Sequence, residues 1–263
     1  MLDIFLLSLL IGLIAGLLAG LFGLGGGVLI VPALAWLFSV YNFPNELIMI
    51  MAIATSLSTI IFTAVSSILT HHKLRAIQWN FVTRLVPGIF VGSVCGAKLA
   101  DFLDVIFLRW FFIAYLLFVG IRMIFPQQGM GNSKQMNQSM DYLIGSVIGL
   151  VSSVLGIGGG TLTVPYLASR QVPMNKAVAI SSVCGLPIAI SGTMTYMFLG
   201  WRAESIPEWS LGYVYLPALI GIITCSVITA PIGAKLANKL PAKKLKRYFS
   251  VVLFLIAFKM IIG

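Results

Sequence analysis

A chain of 263 residues that is 59% hydrophobic and only 9% charged lies far from the roughly 25% charged residues of soluble domains, which excludes a water-soluble fold. The net charge of +10 sits at segment ends and in short loops, with no basic domain or aromatic platform. It reads as a membrane topology signal rather than a nucleic-acid footprint. Cys95, Cys184 and Cys225 all fall inside apolar segments, so no disulfide framework is expected.

In chain order, the first segment (2–22) lacks the basic leading region of a cleaved signal and runs to transmembrane length, so it is expected to remain as a helix. A break at Gly25, Gly26 and Gly27 follows, then a short helix over 29–40 and long helices over 46–70, 80–100 and 106–125. The polar stretch 126–139 reads as a linker. Beyond it the series recurs: a helix over 140–156, a break at Gly158, Gly159 and Gly160, a short helix over 162–169, and long helices over 176–200, 211–236 and 243–262. The two series are related in sequence. GLLAGLFGLGGGVLIVPAL from Gly16 returns as GLVSSVLGIGGGTLTVPYL from Gly149 at an offset of 133 residues, and GAKLA at Gly96 returns at Gly233 at an offset of 137. One membrane domain built from two repeats, 1–125 and 140–263, is the expected organisation.

The short helix decides the topology. Eight residues rise about 12 Å against a hydrocarbon core of about 30 Å, so the second short helix cannot span. Pro32 and Pro165 suit a first helical turn, where an amide would be unpaired in any case. Each break is therefore expected to be the tip of a re-entrant hairpin. Charge placement favours this over a broken helix that passes straight through: the hairpin arrangement puts thirteen basic residues inside and four outside, against ten and seven. The fold class expected is an all-α integral membrane protein with two inverted repeats of about five segments each and a short re-entrant Gly-rich hairpin in each half.

Two hairpins entering from opposite sides would point two helix N-termini at one region, where unpaired amides and partial positive charge suit a small anion. Broken helices at a repeat interface are the expected site in secondary transporters. Gly25, Gly26, Gly27, Gly158, Gly159 and Gly160 are the primary candidates, since bare amides let a ligand approach closely; close helix packing is their other reading. Thr161 follows the second glycine run. Thr55 and Ser56 align with Ser181 and Ser182 in the counterpart segment, and hydroxyls can donate to an anion without a buried charge, although membrane serines also bond their own helix carbonyls. Lys98 and Lys235 in the GAKLA copies read as snorkelling side chains, and His71 and His72 as a solvated helix end. Every Asp and Glu lies near a segment end. No zinc signature, intramembrane aspartate pair or phosphate-binding loop is present, so no enzyme, metal or cofactor is expected. A permease or channel for another solute, such as a metal ion or amino acid, is the competing class.

On these glycine motifs the chain resembles the sulfite exporter TauE/SafE family of membrane proteins, whose duplicated hallmark GLFGLGGGVLIVPAL and GLVSSVLGIGGGTLTVPYL look like, and the likeness runs through GAKLA to the C-terminus. Ser153 stands where that motif often has Gly. The resemblance implies a secondary transporter of sulfite, organosulfonates or similar sulfur-containing anions in a bacterial inner membrane. The anion follows from the helix ends; the sulfur chemistry follows from the resemblance alone.

Overall fold

Among the described residues ten helices form where ten apolar segments are read. A computed structural model describes residues 2–22, 26–73, 75–124, 138–203, 205–237 and 242–262. The elements are α1 (Leu2–Phe22), α2 (Gly27–Val40), α3 (Asn45–Lys73), α4 (Trp79–Phe102), α5 (Val105–Ile124), α6 (Gln138–Leu155), α7 (Gly160–Ser169), α8 (Met174–Gly200), β1 (Ser210–Leu211), β2 (Val214–Tyr215), α9 (Leu216–Ala237) and α10 (Ala242–Ile262). Among the described residues seven helices, α1, α3, α4, α5, α6, α8 and α9, are long and apolar enough to cross a membrane. In α10 the stretch Ser250–Ile262 is apolar, and the helix opens with Lys243, Lys244, Lys246 and Arg247 in the sequence.

Several boundaries differ from the sequence reading. The segment expected over 211–236 begins instead with an antiparallel hairpin, Ser210 opposite Tyr215 and Leu211 opposite Val214, and α9 starts only at Leu216. Gly212, at φ +58°, makes the turn possible, and a Cβ there would stand 2.2 Å from the Met197 carbonyl oxygen. The short helices also start earlier than expected, at Gly27 and Gly160, so Pro32 and Pro165 lie inside them rather than in the first turn. Each proline denies an amide to the carbonyl four residues back, at Val28 and Thr161, and the helix continues past it.

The exterior is apolar and the buried core, although mostly apolar too, carries many hydroxyls. The outward faces of α1, α9 and α10 expose Leu10, Ile14, Ile228, Leu255 and Phe258, while Ser56, Ser58, Thr59, Ser93, Ser152, Ser153 and Thr163 are buried. An apolar exterior over hydroxyl-bearing helices is the arrangement lipid demands. The chain is an all-α integral membrane protein, with α3 and α8 the most buried of its long helices.

The packing joins the two series of helices reciprocally: α1 lies on α9, α4 on α6, α3 on α8, and α5 on α10. Small residues let the first two pairs approach. A Cβ on Gly12 would stand 2.4 Å from the Ile222 oxygen, and one on Gly16 would stand 2.5 Å from Ser226 Cα. Likewise Gly88, Gly92 and Gly96 of α4 meet Tyr142, Ser146 and Leu150 of α6 in ascending order. Both pairs therefore run parallel, with backbones in contact along four-residue glycine spacings.

Gly26 packs on Ala15 and Ala19 of α1. Tyr166 and Arg170, at the end of α7, reach Asp141 in the first turn of α6: the phenol donates to Asp141 Oδ1, and Arg170 Nη2 lies 2.5 Å from the same oxygen. Arg84, near the start of α4, lies 3.9 Å from Asp141 Oδ2. At the opposite end of the molecule Tyr213 donates to Asp101 near the end of α4, at 2.8 Å. Burial foremost, and the neighbouring carboxylate, hold the Tyr213 phenol above its ordinary range, so it remains the proton donor in this bond. Arg109 donates to the Met260 carbonyl at that same end.

Candidate functional site

The two short helices begin in the same way. Gly26 caps α2 at φ 77°, ψ −20°, and Gly159 caps α7 at φ 71°, ψ −12°. This left-handed conformation favours glycine and leaves no side chain over the first amides. In each case the cap carbonyl accepts from the amides three and four residues on, Leu29 and Ile30 in one helix, Leu162 and Thr163 in the other. The amides ahead of these have no intrahelical acceptor, which concentrates positive charge at the helix start.

The breaks meet at the centre of the molecule. A Cβ on Gly27 would stand 2.4 Å from the Gly156 oxygen and 2.9 Å from Ile157 Cα. Ser56 Oγ donates to the Gly156 oxygen at 2.8 Å, tying α3 to the second break. Gly25 lies outside the described residues. Gly26, Gly27, Gly158, Gly159 and Gly160, in the chain on either side of this junction, are buried.

The hydroxyls expected nearby are engaged in protein bonds. Thr55 Oγ1 accepts from the Tyr215 amide at 3.0 Å, so it anchors the hairpin before α9. Thr161 is bonded to the Tyr115 hydroxyl of α5. Ser181 and Ser182 both donate to the Val178 carbonyl, at 2.9 and 3.0 Å, and Ser67 bonds Ser182 at 3.2 Å. Ser181 and Ser182 also line, with Thr63, Ser67, Gly158 and Gly185, a cavity of ≈ 20 Å³ beside the second break. That volume holds about one water, so a polyatomic anion requires the helices around it to separate. On the opposite side Phe38, Phe43 and Tyr215 form a ring cluster with centroids 4.7 to 5.6 Å apart. His72 lines a cleft with Lys73, Arg75 and Trp79, at the helix end where it was expected. Lys98 is exposed on α4.

Sequence reasoning missed Ser152 and Thr163, which are fully buried, lie at the second break, and carry hydroxyls with no bonding partner. Comparing the two copies of the motif for their differences would have shown them, since the residues 133 positions earlier are Ala19 and Ile30.

A family model described as sulfite exporter TauE/SafE matches residues 8–260. A "Probable membrane transporter protein" of Haemophilus influenzae is 37% identical over 262 residues, covering 99% of each chain. A further probable membrane transporter, from Methanocaldococcus jannaschii, is 27% identical over 94% of this chain and 91% of its own. Another, YunE of Bacillus subtilis, is 26% identical over 98% of this chain and 97% of its own. No solved structure matches.

Proposed function

We propose that this membrane transporter, which belongs to the sulfite exporter TauE/SafE family, moves small sulfur-containing anions such as sulfite or an organosulfonate out of the cell through the junction of its two helix tips. The observation that carries the reading is the pair of left-handed glycine caps, Gly26 and Gly159, at the buried starts of two short helices whose breaks touch. A buried N-terminus contributes up to about 2 kcal/mol toward an anion, and the surrounding polar groups are hydroxyls and amides rather than carboxylates. Sulfur specificity is carried over from the family's description.

The reading includes two inverted repeats with re-entrant hairpins, in a bacterial inner membrane. Three features support it. Asp141 and Arg170 bring the start of α6 and the end of α7 to one end of the molecule; the α1–α9 and α4–α6 pairs each run parallel; and Tyr213, just before α9, meets the end of α4, so the two pairs run in opposite senses. Transport proceeds by opening the space beside the second break toward one side while the Phe38, Phe43 and Tyr215 cluster closes the other.

The test is thermal stabilisation of the purified protein by sulfite, sulfate, sulfonates and thiol carboxylates. One of the sulfur anions is expected to raise the midpoint with increasing concentration. Stabilisation by metal ions or amino acids alone would replace this reading with the competing permease.

A further inference from the structure

The two helix tips share a backbone but differ in what surrounds the cap. A Cβ built on Gly26 would meet Ala19 Cβ at 3.3 Å, the Ala15 carbonyl oxygen at 3.4 Å and Ile30 Cδ1 at 3.4 Å, so the side chains there are apolar and the one polar neighbour is an acceptor. A Cβ built on Gly159 would meet Ser152 Oγ at 3.5 Å and Thr163 Oγ1 at 3.6 Å, besides Ile188 Cδ1 at 2.5 Å. Ala19 and Ser152 are repeat counterparts, as are Ile30 and Thr163. The same three-residue frame is thus apolar in the first half and doubly hydroxylated in the second.

Those two hydroxyls are out of keeping with the rest of the core. Ser152 and Thr163 are both 0% exposed, and neither oxygen has a hydrogen-bond partner. Most other buried hydroxyls around them are satisfied: Ser58 bonds Ala54, Thr59 bonds Ser56, Ser93 bonds Ile188 and Ser191 bonds Pro187. A buried hydroxyl without a partner costs about 1–3 kcal/mol, and two at one point call for a ligand or water that completes them. Both flank the Gly159 cap, next to the Gly160 and Thr161 amides that open a ten-residue helix and have no intrahelical acceptor.

We infer that the transported oxyanion is held asymmetrically, at the start of α7 by the hydroxyls of Ser152 and Thr163 together with the first amides of that helix, while the side chains at the start of α2 take no part in holding it. The inference rests on the proposed function and deepens it by giving the site a side. An oxyanion fits because its oxygens accept from every group there: two hydroxyls, which have no other call on their protons, and two amides. A halide presents no separate oxygens to a divergent set of donors, and a cation is repelled by the helix start.

The experiment measures sulfite and chloride binding by calorimetry, and thermal unfolding, on full-length detergent-solubilised protein. The variants are Ser152→Ala, Thr163→Val, their combination, and Ile30→Val as the equivalent trimming at the other tip. Each hydroxyl deletion is expected to weaken sulfite binding by roughly tenfold or more, since a hydrogen bond to a charged group is lost. The unfolding midpoint of the empty protein should hold or rise, because an unsatisfied buried group has been removed. Ile30→Val should bind sulfite like the wild type. Sulfite affinity unchanged in the double variant, with wild-type binding intact, would overturn the asymmetric site, leave the anion reading standing and return the hydroxyls to a buried water. A fall in the empty protein's midpoint with affinity unchanged would overturn it too, by showing a structural role. A wild type that binds no sulfite, or prefers chloride, would overturn the function reading and this site with it.

Discussion

Gly92 and Gly159 are both intolerant of a side chain, for unrelated reasons. A Cβ on Gly92 would stand 1.9 Å from the Ser146 carbonyl oxygen, so Gly92→Val forces α4 and α6 apart and should cost more than about 3 kcal/mol; reduced insertion or a lowered unfolding midpoint would be the readout. Gly159→Val meets a left-handed φ and the Ile188 methyl instead, at a helix tip rather than a helix interface. That variant should still insert but lose transport, and wild-type flux in it would return Gly159 to a packing role. Ser56→Ala, which unpairs the Gly156 carbonyl, is expected to lower stability by about 1 kcal/mol. At this scale the glycine runs were legible in the sequence because their spacing is repeated. The hydroxyl roles were not: Thr55 and Thr161 are taken up by Tyr215 and Tyr115, partners 160 and 46 residues away that no local pattern reveals.

Short helices, hairpins and their ties belong to the scale of elements. That α2 and α7 are too short to span was readable from their apolar runs and from Pro32 and Pro165, though the prolines proved to lie within the helices and not at their first turns. The hairpin over Ser210–Tyr215 was hidden because Leu211, Val214 and Tyr215 run without a polar break into α9, and only the turn at Gly212 sets it apart. The carboxylate of Asp141 shows how much position alone conceals: a residue at a segment end is 1% exposed and joins α6 to the end of α7. Removing its charge strands Arg170, so Asp141→Asn should cost about 3 kcal/mol in thermal unfolding. Asp141→Asn combined with Arg170→Gln should cost less than the two single changes added together, by at least about 1 kcal/mol. Strict additivity would show that the pair does not hold the end of α7 to the start of α6.

Across the whole molecule, the repeat, the number of helices and the membrane class could all be read before any coordinates, since hydropathy and duplication are properties of sequence. Which helix lies on which could not, because the pairing crosses from one half to the other and depends on glycines meeting backbone. The proposed topology puts both termini and Glu208 outside, and Lys134 and Lys243 inside; Lys134 lies outside the described residues. Single cysteines at Lys134 and Lys243 should resist an impermeant thiol reagent in intact cells, and one at Glu208 should react. Labelling at Lys134 from outside would refute the inversion.

With no carboxylate at the tips among the described residues to carry a proton, export is expected to be electrogenic. The membrane potential supplies about 2.3 kcal/mol per charge per 100 mV, so ~120 mV sustains roughly a hundredfold gradient of a monoanion without a coupled ion. The direct test is sulfite flux in proteoliposomes with the potential set by potassium and valinomycin and no pH difference. Flux that follows the imposed voltage in the wild type and vanishes in Gly159→Val is the expected result. Flux that ignores voltage and follows an imposed pH gradient, or that persists in Gly159→Val, would contradict an anion carried uncoupled through the helix tips.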